Sequence, residues 1–141
     1  MRDYWLIYPM FAMVLLTLSV LVRLFRARSQ SVADGTMNAS YFKTYQGQTE
    51  PESSLKLAHH FANMFETPVL FYVCCLSALS TDATGLPFLV LAWLYVIIRI
   101  AHAYIHTGDN QLMPRIRVYF SSWIVLLTMW TLLAVRVATS S

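Results

Sequence analysis

The sequence predicts an all-α integral membrane protein in which four transmembrane helices form a bundle. Two observations support this fold class. Apolar residues make up 57% of the 141-residue chain and charged residues only 12%, whereas about a quarter of a soluble domain is charged. The apolar residues also fall in long runs separated by short polar gaps, which is typical of membrane spans rather than of one buried core. We therefore expect the lipid bilayer to surround the chain.

The first predicted span covers about residues 4–25 and is retained, within a single domain of residues 1–141. A cleaved signal peptide is the alternative, but the basic stretch from Arg23 to Arg28 follows the apolar run instead of preceding it. Residues 26–51 then read as a long polar connection. Such a connection either folds over a site or is an ordinary surface loop, and composition leaves both open.

Three further spans are predicted at about 53–80, 87–106 and 114–137. Pro68 interrupts the first of them and predicts a kink. Pro114 fits the first turn of the last helix, where proline is tolerated. The turn at 81–87 contains neither lysine nor arginine.

Basic residues predict the orientation of the bundle, because cytoplasmic loops are enriched in lysine and arginine. They cluster after the first span and at the start of the fourth helix: Arg23, Arg26, Arg28, Lys43, Lys56, Arg115 and Arg117. Both termini should therefore lie on the non-cytoplasmic side, although Arg2 and Arg136 oppose this count. The net charge of +3 fits membrane orientation, and we expect no nucleic-acid partner.

Two polar faces stand out within the apolar runs. His59, Asn63 and Glu66 are spaced i, i+4, i+7, and Arg99, His102 and His106 are spaced i, i+3, i+7, so each set shares one helical face. We expect the two faces to meet, with an ion pair between Glu66 and Arg99, because an unpaired charge in the bilayer costs about 2.5–3.5 kcal/mol.

The start of the fourth helix predicts an anion site. Arg115 and Arg117 lie where the helix dipole is already positive, so a bound anion would be stabilised by both arginines and by free backbone N–H groups. Tyr119, at i+4 from Arg115, could donate a phenolic hydrogen bond. The alternative is that these residues anchor the helix at the lipid headgroups.

No metal site is expected. His102 and His106 could ligate a metal at i, i+4, but no carboxylate on the same helix supports this. Cys74 and Cys75 read as small buried residues. A further alternative for all the polar residues is that they only hold helices together, as in a non-catalytic membrane scaffold or lipid-binding protein.

Three short motifs resemble the MAPEG family, the membrane-associated proteins in eicosanoid and glutathione metabolism. They are Asn63-Met-Phe-Glu66, Arg99-Ile-Ala-His102, and Arg115 with Tyr119. The order and spacing of the three motifs together make the resemblance more specific than any single motif does. The resemblance implies a homotrimer of four-helix subunits that binds glutathione between neighbouring subunits near the cytoplasmic face.

By this resemblance, glutathione as cosubstrate would be contacted by Asn63, Glu66, Arg99, His102, Arg115 and Tyr119. Arg115 and Tyr119 would hold the thiolate, Arg26 or Arg28 would assist, and His59 and His106 would complete the binding set. Three positions depart from eicosanoid-type members: His59 replaces a common arginine, His106 a tyrosine and Ile116 a serine. These departures count against prostaglandin or leukotriene synthesis. The sequence thus predicts a glutathione or related thiol S-transferase or peroxidase that acts on lipophilic small molecules.

Overall fold

The computed structural model describes residues 4–140, without the side chain of Ser140, so Arg2 and the outer ends of the predicted domain lie outside the described residues. Residues 4–140 contain helices and no strand. A short 3-10 turn at Tyr4–Leu6 leads into α1 (Ile7–Ala33), followed by α2 (Tyr41–Thr44), α3 (Glu52–Asn63), α4 (Thr67–Ser80), α5 (Leu86–Thr107) and α6 (Leu112–Ser140).

Four helical segments are long and apolar enough to cross a membrane, judged by length and composition. They are Tyr4–Ala33, Glu52–Ser80, Leu86–Thr107 and Leu112–Thr139. Large apolar side chains such as Phe11, Ile97 and Ile124 are exposed on the outside of the bundle, which suits contact with lipid rather than with water. The predicted all-α fold with four spanning helices is confirmed.

Helix α1 is longer than the predicted span. Residues 26–33, predicted as part of the connection, continue the helix, because residues 10–34 contain neither glycine nor proline. Gly35 adopts φ +73°, a left-handed conformation that favours glycine. The helix ends there, with the Asp34 N–H donating to the Gln30 carbonyl at 2.8 Å.

Pro68 produces a complete break where the sequence predicts a kink. Proline has no N–H to donate to the Met64 carbonyl, and its ring would collide with that carbonyl in a continuous helix. Helix α3 therefore ends at Asn63, and α4 begins at Thr67. Glu66 takes the cap position with φ −97° and ψ −102°, so the helical register changes between Asn63 and Glu66.

The core joins α4, α5 and α6 through close apolar packing. Phe71 of α4 and Tyr95 of α5 are both fully buried, and their rings stack with centroids 4.5 Å apart. The Tyr95 hydroxyl lies 3.0 Å from the Thr67 hydroxyl, and the hydrogen bond between them links α5 to the first residue of α4. Cys74 and Cys75 are free and buried, in agreement with the sequence-based interpretation.

Arginine side chains form hydrogen bonds that link neighbouring elements at the two ends of the bundle. At one end Arg136 of α6 donates to the Ala83 and Thr84 carbonyls in the α4–α5 turn. Gly85 adopts φ +151°, which favours glycine, and a side chain there would also displace the Arg136 guanidinium, which it would meet at 2.9 Å. At the other end Arg23 of α1 donates to the Thr107 hydroxyl at 3.0 Å.

The connection after α1 folds back onto that helix. Arg28 makes a two-point hydrogen-bonded ion pair with Glu50, at 2.8 Å from Nε and 3.2 Å from Nη2. Its guanidinium also lies over the rings of Phe42 and Tyr45, at 5.1 and 5.4 Å from their centroids. Glu50 is buried, so this pair holds the connection in place.

We expect Glu50→Gln to loosen the connection and to speed tryptic cleavage after Lys43. Loss of a charge-assisted, largely buried pair should cost about 1–2 kcal/mol, which corresponds to an increase of about fivefold or more in the open population. The measurement is the rate of cleavage at Lys43 in detergent-solubilised protein.

Glu52→Gln is the matched control, because the Glu52–Lys56 pair has an exposed carboxylate. Cleavage at Lys43 should not change in this variant. Equal rates for Glu50→Gln and wild type would show that Arg28 does not hold the connection.

Candidate functional site

A cleft of about 190 Å³ lies where the end of α3, the last turns of α5 and the start of α6 meet. It is lined by Asn63, His102, His106, Arg115, Ile116 and Tyr119. Five of these six residues are polar. The cleft therefore presents hydrogen-bonding and cationic groups at one end of the bundle.

Helix α5 supplies the inner wall. Arg99, His102 and His106 are buried, whereas Ile100, Ala101 and Tyr104 between them are exposed. The i, i+3, i+7 spacing thus places the polar residues on the face that packs inward. His102 and His106 reach the cleft itself, and Arg99 lies further along the same face.

Helix α6 supplies the cationic wall. Arg115 and Tyr119 both line the cleft, one helical turn apart. The Asn110 side-chain oxygen accepts a 2.7 Å hydrogen bond from Arg115 Nη1, which orients the guanidinium. Helix α6 begins at Leu112, so Arg117 falls in its second turn, where it is exposed and does not line the cleft.

Arg99 is fully buried and poorly partnered. Its Nη2 donates to the Asn63 carbonyl at 3.3 Å and lies 3.6 Å from the Met64 sulfur, while Nε and Nη1 have no hydrogen-bond partner. The Asn63 carbonyl can accept because α3 ends there, and its backbone partner is the Glu66 N–H at a long 3.4 Å. Two buried donors consequently remain available for a ligand.

The predicted ion pair between Glu66 and Arg99 is wrong for the described chain. Glu66 is exposed, and no ion pair joins it to Arg99 among residues 4–140. The break before Pro68 is the physical reason, because Glu66 takes the cap position of α4 and is exposed instead of continuing the helical face of Asn63. The two polar faces meet through Asn63 instead.

His60 is the residue that the sequence interpretation missed. It is fully buried, and its ring centroid lies 5.3 Å from that of His102 and 5.1 Å from that of His106. The rings of His102 and His106 are 5.6 Å apart. We call these three residues the histidine cluster. A sequence signal existed, since His60 falls in the buried Leu57–His60–Met64 stripe at i, i+3, i+7.

The remaining predicted site residues do not line the cleft. His59 and Arg26 are exposed, and Arg28 is engaged with Glu50. Within residues 4–140, no group of three or more histidine, cysteine, aspartate or glutamate side chains could hold a metal ion. The cleft itself presents the Arg115 guanidinium, the Tyr119 hydroxyl and the Asn63 amide as donors suited to an anion.

Comparison with models of protein families identifies the family of this chain. The model of the MAPEG family matches residues 6–135, nearly the whole sequence. The chain belongs to the MAPEG family. This MAPEG protein is therefore a multi-pass membrane protein of the glutathione- and eicosanoid-metabolism type, and the predicted family is confirmed. No curated protein and no solved structure matches the chain.

We expect Arg99→Met to leave the ligand-free MAPEG protein at least as stable as wild type. Methionine keeps much of the side-chain volume and removes two buried donors without partners, so the free energy of unfolding should rise by about 1 kcal/mol. Thermal unfolding in detergent, followed by circular dichroism, measures the effect.

Arg136→Met is the contrasting variant, because Arg136 donates to two carbonyls in the α4–α5 turn. It should lower the melting temperature. If Arg99→Met lowered the melting temperature as much as Arg136→Met does, Arg99 would be shown to stabilise the ligand-free fold. That result would contradict the interpretation that its unpartnered donors serve a ligand.

Proposed function

We propose that this MAPEG protein is a membrane-bound glutathione, or related thiol, S-transferase and peroxidase that acts on lipophilic electrophiles. One observation carries the proposal: Arg115 and Tyr119 share a single cleft with Asn63 and His102. A thiol cosubstrate needs cations and donors at its sulfur and polar groups along its peptide, and the cleft offers both.

The cationic wall suits thiolate formation. A free thiol has a pKa of about 8.5, so at neutral pH only a small fraction is nucleophilic thiolate. Arg115, oriented by Asn110, and the positive end of α6 would favour the charged sulfur. Tyr119 would donate a hydrogen bond to the same sulfur.

The inner wall suits the peptide part of the cosubstrate. Glutathione carries two carboxylates, and the unpartnered Nε and Nη1 of Arg99 are donors suited to a carboxylate. Asn63 and His102 would bind the backbone amides. Glu66, exposed beside the cleft's α3 wall, would pair with the ammonium group.

A homotrimer would complete the site. The cleft is open on the side where Ile116 is 38% exposed, and a neighbouring subunit there would close it and bring exposed residues such as His59, Arg26 or Arg28 toward the ligand. Lipophilic electrophiles would then reach the sulfur from the bilayer. A sedimentation mass other than that of three chains, corrected for detergent, would overturn the trimer.

We expect Arg115→Ala to lower glutathione-dependent conjugation of chlorodinitrobenzene by about 100-fold in kcat/KM, because a preorganised cation at developing charge contributes on this order. Turnover is measured by absorbance in detergent, and glutathione binding by isothermal titration.

Arg117→Ala is the matched control, two residues along α6 and outside the cleft. It should retain wild-type turnover. Absence of glutathione binding to wild type would contradict the proposed function. Equal turnover of Arg115→Ala and Arg117→Ala would contradict it as well.

We also propose that both termini lie on the non-cytoplasmic side, since arginines cluster at the bundle end that carries the cleft. Alkaline phosphatase, which is active only outside the cytoplasm, should be active when fused after Ser141 and inactive when inserted after Lys43. The reverse pattern of activity would contradict this orientation.

A further inference from the structure

A pocket separate from the cleft lies where the connection folds back onto the end of α1. It has a volume of about 460 Å³, within the range of sites that hold small molecules. Phe25, Arg28, Ser29 and Val32 of α1 line it at i, i+3, i+4, i+7, so they share one helical face. Phe42 of α2 completes the wall, and none of these residues lines the cleft between α3, α5 and α6.

Arg28, the charged residue of the wall, is already engaged. It donates from Nε and Nη2 to Glu50, and from Nη1 to the Tyr45 hydroxyl at 3.4 Å. Its guanidinium also lies over the Phe42 ring. Ser29 contributes an exposed hydroxyl, and the rest of the wall is apolar. The pocket therefore suits a ligand that is mostly apolar and carries a polar group.

An exposed apolar stripe on α1 leads into this pocket. Leu18, Leu21, Val22 and Phe25 follow the same i, i+3, i+4, i+7 spacing, and each is between 40% and 70% exposed. Because Phe25 belongs to both sets, the stripe and the pocket lie on one face of the helix. The acyl chain of a lipid fits such a stripe, whereas a soluble ligand would leave it uncovered.

The pocket lies at the level of the lipid headgroups. The apolar run of the first span ends near Phe25, and Val32 is about 10 Å further along α1. The headgroup region of one leaflet is about 5–8 Å thick. A phospholipid whose chain follows the stripe would therefore bring its phosphate to the middle of the pocket, beside Ser29.

Two basic residues without a carboxylate partner flank the pocket. Arg26 lies one turn before Ser29 on α1, and Lys43 is the third residue of α2. Both are exposed, and neither forms an ion pair among residues 4–140. Of the acidic residues in 23–50, Glu50 is paired with an arginine and Asp34 lies at the C-terminal cap of α1. The rim is thus complementary to an anion.

We propose that this pocket binds one anionic phospholipid. Its phosphate lies beside Ser29 between Arg26 and Lys43, and one acyl chain follows the stripe that ends at Phe25. A zwitterionic lipid carries its own ammonium group, which the two basic residues repel, so the site selects for a negative headgroup. The inference does not depend on the proposed thiol chemistry, because the lipid pocket and the cleft share no residue.

The test is native mass spectrometry of the detergent-solubilised protein with equimolar phosphatidylglycerol and phosphatidylcholine that have identical acyl chains. A basic residue near an anionic lipid contributes about fivefold to binding. Wild type should therefore retain phosphatidylglycerol in preference to phosphatidylcholine by about 20-fold, and Arg26→Gln and Lys43→Gln should each lower this preference by about fivefold.

Arg117→Gln is the matched control for charge, since Arg117 is exposed at the same end of the bundle and does not line the pocket. It should keep the wild-type preference.

Ser29→Trp tests the pocket itself, because it fills the space and leaves every charge in place. Retention of phosphatidylglycerol should fall to the level of phosphatidylcholine. Ser121→Trp is its control, with the tryptophan at an exposed position on α6 outside the pocket, and it should retain the lipid as wild type does.

Equal retention of the two lipids by wild type would overturn the inference and leave only ordinary contact with the bilayer. An equal fall for Arg26→Gln and Arg117→Gln, or unchanged retention by Ser29→Trp, would overturn it as well. Displacement of the lipid by glycerol phosphate at equal concentration would show a site for a soluble anion instead of a lipid.

Arg26→Gln also separates this site from the cleft of a neighbouring subunit. If the variant lost glutathione turnover but kept the preference for phosphatidylglycerol, Arg26 would belong to that cleft, and its assignment to the lipid would be overturned. Loss of the lipid preference with unchanged turnover supports the inference. Absence of glutathione binding to wild type would contradict the proposed function and leave the lipid site standing.

Discussion

The buried guanidinium of Arg99 is the constraint on which the site depends. A cation inside an apolar bundle needs acceptors, and the carbonyls at a helix end are more accessible to it than those inside a helix. The break before Pro68 ends α3 at Asn63, whose carbonyl accepts from the Glu66 N–H at 3.4 Å and from Arg99 at 3.3 Å. Proline, helix end and arginine therefore form one unit, and the two unpartnered donors of Arg99 lie buried on the face of α5 that continues from the cleft.

This unit also decides which side chains face the cleft. Because the register changes between Asn63 and Thr67, Asn63 points toward α5 while Glu66 is exposed. His60 packs inside together with Leu57 and Met64, and it fills the space beside His102 and His106. The resulting site is rich in cations and imidazoles and poor in carboxylates. Such a site suits an anionic ligand that must give up a proton.

The two ends of the bundle differ in chemistry. At the end away from the cleft, Arg136 binds the α4–α5 turn, and aromatic residues such as Trp5, Tyr8 and Trp93 line an apolar groove. At the cleft end, Arg28 and Glu50 hold the long connection against α1. The connection is thus an ordered structure beside the site rather than a free loop, and its anchor uses an arginine that the family resemblance assigned to the ligand.

The sequence by itself determined the four spanning helices, the polar residues on α5 and the family, because long apolar runs and fixed spacings on one uninterrupted helix are local properties. The i, i+3, i+7 face of Arg99, His102 and His106 follows from helical geometry alone. Only the tertiary structure decided that His60 contacts His102 and His106, that Arg99 binds a backbone carbonyl rather than Glu66, and that Arg28 holds Glu50. These outcomes depend on how the chain turns at Pro68 and after Gly35. The direction of a side chain beyond such a break is determined by packing between helices, which residue spacing does not encode.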